Sequence, residues 1–322
     1  MSTIYGNPLL LGGKKPTPLS VSNNGTWNRD GGYSPVNVNV PASAVTSGTK
    51  IITANGDYDV TEFKNVRVIL GTYASTSPVD GITYVNGLPN DWSRMKEIAK
   101  VISEASDNIN ANTTGSVYVN NGNKWAYKIT PGNTINVNNH VYAVMGFNNF
   151  ALTNQGNYGG THTTAGLTFG MVDCIGKYKM NSSGTNSGGW KNCLMRTSTM
   201  PTLKSGMPAT LAQVKVPYVN YNDQSTILYS DDYMFLPAEK EVFGPHNYSP
   251  HSIEAEANAL TQFAYYKNGG RKIKSLSGSE VDWWLRSVTD YNDYCFCGVD
   301  TSAGSNIYRA SLTNGAAPCF CV

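Results

Sequence analysis

Short apolar runs of alternating pattern, each broken off within a few residues by an Asn-Gly or Pro-Gly pair, recur along the 322-residue chain. Val117-Tyr-Val119, Trp125-Ala-Tyr127-Lys-Ile129 and Val141-Tyr-Ala-Val144 read as strands separated by such turns. Asn-Gly tolerates positive φ and is the strongest short-range hairpin signal. Composition pushes the same way: charged residues are 14%, against roughly 25% in an average globular chain. Gly (32), Tyr (20) and Asn (35) take their place, and such a chain prefers strands and turns to long helices. The expected fold class is therefore α+β, mostly β. The length suits about two ordinary domains, with enough core to fold without disulfides or metal. A net charge of +2 gives no nucleic-acid footprint, which needs clustered Lys and Arg. No stretch approaches the apolar length of a membrane span. The start lacks a basic segment followed by an apolar one, so no secretory signal is expected.

The first seventy residues repeat. Asn24-Gly25-Thr26-Trp27 leads to Tyr33, Val36, Val38 and Val40, and Asn55-Gly56-Asp57-Tyr58 leads to Phe63, Val66, Val68 and Leu70. Each copy reads as a small β-hairpin unit with a following alternating strand. Two such units bury little alone, so residues 1–70 are expected to serve oligomerisation or attachment. Residues 71–90, rich in Gly, Ser, Thr and Pro, read as a linker. The second domain is placed at 91–322 and opens on a helix over about 91–109, capped by Asn90 or Asp91, with Met95, Ile98, Ala99, Ile102 and Ala105 on one face. The stretch 153–189 reads as a long Gly/Asn/Thr/Ser loop region with an apolar insert, Leu167 to Val172; loops this long are often functional. Pro237 begins a short helix that Gly244 stops. Ser249-Pro250 caps another, with Ile253, Ala257, Leu260 and Ala264 as its stripe and Gly269 as its end. Trp283-Trp-Leu-Arg-Ser287 is a strand entering a tail of short strands and loops.

Few residues form a chemical set. Gly12-Gly13-Lys14-Lys15 lacks the first glycine and the hydroxyl residue of a phosphate loop. His246 and His251 lack helical metal spacing. Cys295-Phe-Cys297 and Cys319-Phe-Cys321 repeat one tripeptide, and pairing of their strands would gather four thiols. One intervening residue is too few for a zinc knuckle, so core thiols are the preferred reading over metal or disulfide. Glu239 and Glu241 could form an acid/base set with Arg286. A structural ion pair is preferred, because an Arg buried near Trp283 and Trp284 needs a carboxylate partner. No catalytic residue, metal ligand or cofactor is assigned, structural calcium or zinc staying open.

The tail has its own composition. Fifteen of the 26 residues in 289–314 are Asn, Asp, Ser, Thr or Tyr. Tyr gives large amphipathic contact area at low entropy cost, and the small polar residues adapt their hydrogen bonds, as in antibody paratopes. The last 36 residues contain no Lys, Glu, Gln, Met or Trp, although the first 286 hold 44. These are the amino acids unreachable when an Asn codon is mutated only at its adenines.

The runs Phe235-Leu-Pro-Ala-Glu-Lys-Glu-Val-Phe-Gly244, Gln262-Phe-Ala-Tyr-Tyr266, Trp283 to Ser287 and Gly315 to Val322, with Gly188-Gly-Trp190 through Met195-Arg196 before them, resemble a family found in phages and prophages of gut bacteria. The chain is similar over roughly 91–322 to the variable proteins of diversity-generating retroelements, and its N-terminal hairpins resemble modules common in phage tail proteins. The resemblance implies a C-type-lectin-like domain, related in fold to formylglycine-generating enzymes, preceded by small β-hairpin repeats. It implies a tail-tip or fibre protein in the virion, assembled in the bacterial cytoplasm, whose C-terminal face binds a host-surface protein or glycan. Other tail proteins would be partners, and a homo-oligomer, a trimer among the options, is implied. Carried onto this sequence, the variable region spans about 287–314. The ligand-facing positions would be Asp290, Tyr291, Asn292, Asp293, Tyr294, Phe296, Ser305, Asn306, Tyr308 and Ser311, with Glu239, Glu241, Trp283, Trp284 and Arg286 as scaffold. Cys295, Cys297, Ala310 and Leu312 would point inward. Two rivals stay open: a bacterial surface adhesin, and a cysteine-dependent oxidase like others of the wider superfamily.

Overall fold

A computed structural model describes residues 72–79, 82–122, 124–154, 158–159, 162–245, 247–250 and 260–322, together with four N-terminal strands. The chain divides into two compact units, Met1–Gly71 and Thr72–Val322. In the first, Thr3–Ile4 pairs with Leu19–Ser20, and Lys50–Thr53 pairs antiparallel with Gly56–Asp59. The strand Gly56–Asp59 begins at the glycine of the second copy's Asn-Gly, and residues 54–55 lie outside the described residues. The first copy and the alternating segments after each turn lie outside the described residues.

The second unit is mostly β. A five-stranded antiparallel sheet runs Met234–Phe235, Cys319–Cys321, Thr164–Met171, His140–Ala151, Thr134–Val137. A second runs Gly176–Tyr178, Asn314–Ala316, Trp283–Val288, Cys295–Val299, Ser305–Arg309, antiparallel except where Trp283 meets Gly315 in parallel. A smaller sheet orders Thr72–Ser75, Val117–Asn121, Trp125–Ile129, Val85–Asn86. Two further hairpins, Val214–Asn220 with Asp223–Asp232 and Lys274–Leu276 with Ser279–Val281, complete the strands.

The helix Trp92–Glu104 forms where the apolar stripe predicts it, with Asp91 as N-cap accepting the Ser93 N–H at 2.9 Å. Its buried face, Met95, Ile98, Ala99 and Ile102, lies on the Thr164–Met171 strand. Contact there is backbone to backbone: a Cβ on Gly166 would stand 1.9 Å from the Ala99 carbonyl oxygen. Beyond the strand, Phe169 stacks on Phe320 with ring centroids 5.3 Å apart, and Tyr142 meets Phe320 edge-on at 5.0 Å.

Two expectations are corrected and one is refined. The segment 71–90 is not a linker, for Thr72–Ser75 and Val85–Asn86 form the two edges of the small sheet. None of their side chains is fully buried, so neighbouring strands more than local hydrophobicity specify them. In the stretch 153–189 the apolar insert belongs to a longer element, the central strand Thr164–Met171, buried on both faces; such a strand shows no alternation, and most of the other described residues of the stretch are irregular. The helix expected to run from Ser249 to Gly269 is not continuous: residues 260–263 are non-helical, and a short helix, Ala264–Lys267, follows them before Gly269 at φ +85°. Residues 251–259 lie outside the described residues. The short helix after Pro237 is present as Glu239–Phe243 with Gly244 at its C-cap. Among the described residues no helix is long and apolar enough to cross a membrane.

Gly166→Ala should cost about 3 kcal/mol or more, because neither backbone can yield to the added methyl; urea unfolding measures it, and a loss below ~1 kcal/mol would contradict the close approach.

Candidate ligand-display site

Arg286 stands on the Trp283–Val288 strand, whose six residues are all buried. It is 1% exposed, so every donor must be met inside the protein. Its Nη1 and Nη2 each donate to a Glu241 carboxylate oxygen at 2.6 Å, its Nε donates to the Pro217 carbonyl at 2.9 Å, and Nη1 also reaches the Leu236 carbonyl at 2.8 Å. Glu241 in turn accepts the Ala238 N–H at 2.8 Å, closing the start of its own helix. Trp283 and Trp284 donate their indole N–H groups to the Lys272 and Tyr178 carbonyls at 2.9 and 2.7 Å. The ion-pair reading of the sequence thus holds for Glu241.

Glu239 has a different task. Fully buried, it accepts the N–H groups of Asn247, Tyr248 and Ser249 at 3.1, 3.1 and 2.8 Å. Ser305 Oγ also donates to it. Its own N–H donates to Ser287 Oγ at 2.9 Å. Glu239 therefore ties the helix, the 247–249 segment and two strands of the tail sheet together, one strand through its carboxylate and the other through its backbone N–H.

The segment 289–294 is held by its main chain. Asn186, wholly buried, donates Nδ2 to the Asn292 and Cys295 carbonyls at 2.9 and 2.8 Å and its backbone N–H to the Asp293 carbonyl at 2.8 Å. Thr185 Oγ1 adds a bond to the same Asp293 oxygen at 3.3 Å. The Asp290 N–H donates to the Tyr248 carbonyl, and the Ala310 N–H to the Tyr294 carbonyl, both at 2.9 Å. A local bond from the Tyr294 N–H to Asn292 Oδ1 at 3.1 Å uses a side chain of the segment itself. Tyr291, 65% exposed, and Tyr294, 40% exposed, project outward, as does Asp293. Tyr291 meets Tyr248 edge-on at 6.0 Å, and the Arg309 guanidinium lies 5.1 Å from the Tyr294 ring centroid.

The other expected ligand-facing positions divide. Asp290, Asn292, Asn306 and Ser311 are half-buried, and Asn306 Oδ1 accepts the Ile307 N–H at 2.8 Å. Tyr308 is half-buried, turned edge-on to Trp284 at 5.8 Å. Its ring crosses Gly298, where a Cβ would come within 2.7 Å of it. Ser305 spends its hydroxyl on Glu239. Phe296 is a correction: it is fully buried and faces no solvent. Its strand, Cys295–Val299, is covered on both faces, so alternation does not separate inner from outer there. Cys295, Cys297 and Ala310 are buried, whereas Leu312, expected inside, is 47% exposed after the turn closed by its N–H to the Arg309 carbonyl.

Asn186, Thr185 and Tyr248 escaped the sequence reading. Asn186 sits just before Gly188-Gly189-Trp190, which did stand out. Gly188 and Gly189 have φ of +81° and +59°, and a Cβ on Gly189 would lie 2.7 Å from the Val219 carbonyl oxygen. Trp190 Nε1 and Arg196 Nε then converge on Asp232 at 2.8 and 2.6 Å. That motif fixes the turn from which Asn186 reaches the tail.

The two Cys-Phe-Cys strands belong to different sheets and do not pair. The four thiols therefore do not converge, and all six cysteines are buried and outside any disulfide. Among the described residues no group of three His, Cys, Asp or Glu could hold a metal. Burial pushes the thiols of Cys174, Cys193 and Cys321 from the ordinary 9 up to about 12. Cys319 is pushed up as well, by burial first and the Glu241 charge second.

Residues 167–322 match the model of a family described as a domain of unknown function (DUF6273). The matched span holds Asn186, Glu239, Glu241, Arg286 and the whole tail. No curated protein and no solved structure matches the chain.

Glu241→Gln or Arg286→Met leaves a buried partner uncompensated and should cost about 3–5 kcal/mol by denaturant unfolding. The double replacement should recover part of that loss. The raised thiols give the folded state protons that the unfolded chain releases first. Their contribution is complete below pH 9 and fades as pH climbs from 9 toward 12. Native protein at pH 8 should accordingly show no fast thiol labelling with iodoacetamide, and six labelled cysteines once unfolded; one rapidly reacting thiol in the native state would revive a cysteine-dependent enzyme.

Proposed function

We propose that this chain is a phage tail-tip or fibre receptor-binding protein whose C-terminal domain, of C-type-lectin-like fold, displays a sequence-variable surface and recognises a protein or glycan on the host cell. Its variable residues would be the target of a diversity-generating retroelement. It acts by binding, without catalysis or cofactor, and belongs in the virion. The hairpin repeats of residues 1–70 join it to other tail proteins or to sister copies, and copies presented together raise avidity.

One observation carries the reading: the scaffold grips segment 289–294 mainly through backbone atoms, while Tyr291, Asp293 and Tyr294 stay outward. Backbone bonds survive a change of side chain, so a held loop can tolerate substitution without losing its shape. Exposed tyrosines flanked by small polar residues suit recognition of a protein or a sugar. Phe296, being core, and Ser305, whose hydroxyl is bonded to Glu239, are left out of the ligand-facing set; Asp290, Tyr291, Asn292, Asp293, Tyr294, Asn306, Tyr308 and Ser311 remain in it.

Two measurements test this. Fluorescently labelled full chain should stain host bacteria, and joint replacement of Tyr291, Asp293 and Tyr294 by Ala should weaken staining about tenfold or more while the unfolding midpoint hardly moves. Sequencing the last 36 codons in sibling phage isolates should show substitutions gathered at the eight named positions. Undiminished staining by the triple variant, or substitutions spread evenly through buried positions such as Phe296, would refute the proposal.

A further inference from the structure

We infer that a second, cationic pocket binds a small ligand through an oxyanion, a carboxylate or a sulfate or phosphate group. A cavity of about 610 Å³ opens between the helix Trp92–Glu104, the helix Met200–Lys204 and the segment 207–212, with Tyr233 on its wall. Its volume falls within the roughly 300–1,000 Å³ of small-molecule sites. It shares no residue with the display segment, so it stands or falls apart from the proposed receptor binding.

The lining is charged in one sense. Lys96 and Lys204 both line the cavity, and no Asp or Glu does. Neither lysine has a carboxylate within ion-pair distance among the described residues. The two glutamates of the Lys96 helix are engaged elsewhere, Glu97 with Arg94 at 3.2 Å and Glu104 with His162 at 3.7 Å. Lys204 Nζ lies 3.7 Å from the Tyr233 ring centroid. That contact positions the ammonium at the cavity wall without neutralising it, since a ring quadrupole carries no net charge. Thr210 supplies the third group: its Oγ1 is buried and has no hydrogen-bond partner.

Two ammonium groups without an ion-pair partner among the described residues line one concavity, and the unused Thr210 hydroxyl lies just beneath its wall. A bound anion with several acceptor oxygens answers the two cations, and a turn of the Thr210 side chain about Cα–Cβ would let it accept from the hydroxyl, whose isolation otherwise costs free energy. A neutral sugar leaves both lysines unpaired, and a cation is repelled.

Calorimetric titration of the full chain at low salt tests the inference, with N-acetylneuraminate, glucose 6-sulfate, inorganic phosphate and, as neutral control, glucose. At least one of the three anions should bind, glucose should not, and added sodium chloride should weaken the binding. The anion that binds tightest identifies the carboxylate, the sulfate ester or free phosphate as the source. Lys204→Met and Lys96→Met should each weaken it about tenfold or more, and Thr210→Val less. Thr210→Val also keeps the test decisive should a lysine variant unfold. Tyr291→Ala should leave it unchanged. Absence of binding by all three anions at millimolar concentration, or affinity indifferent to Lys96, Lys204 and Thr210, would overturn the site.

Discussion

The tail sheet depends on one buried ion pair. Arg286 could not be enclosed by Trp283, Trp284 and the neighbouring strands without a counter-charge and acceptors for its remaining donors. Glu241 supplies the charge in two-point geometry, and the Pro217 and Leu236 carbonyls take the rest. The pair fixes more than itself. Because Glu241 also caps its helix, the helix start is placed against the strand, and two residues earlier Glu239 is brought to the 247–249 segment and to Ser305. A hydrophobic pair could fill the same volume, but it would not specify this junction of helix, loop and strands.

Around that junction the protein separates two kinds of work. Side chains of the frame, Asn186 above all, bind main-chain atoms of the tail. Side chains of the tail are left with little structural duty at Tyr291, Asp293 and Tyr294, and with partial duty at Asn306 and Tyr308. Ser305 and Phe296 mark the limit of the freedom, one tied to Glu239 and the other enclosed in the core.

How much of this was legible in the sequence follows from the range of the forces involved. The helix at Trp92, the strands at Val117, Trp125 and Val141, and the partnership of Arg286 with a glutamate two strands away all announce themselves through periodicity, caps or an unavoidable need for charge. Thr164–Met171 did not, because burial on both faces erases the alternation by which a strand is recognised. The edge strands Thr72–Ser75 and Val85–Asn86 did not either, since their pairing partners, rather than their own side chains, determine them. At the site, Tyr291 and Tyr294 were readable as exposed from composition and position. Phe296 was misplaced because two-residue periodicity assigns opposite faces to neighbours and is silent on whether both faces are covered. Asn186 could not be found at all: its role rests on carbonyl groups more than a hundred residues away, and carbonyls carry no sequence signature.

The anchoring of 289–294 through its main chain bears on kinetics as well as on tolerance. A loop that must be frozen when its target arrives loses conformational freedom at that moment, and each new residue changes the size of the loss. Here the freezing is done in advance by Asn186, Thr185 and the Tyr248 carbonyl, whatever side chains the loop bears. On the proposed reading, newly arisen sequences would differ chiefly in how long they hold a target and much less in how fast they catch it.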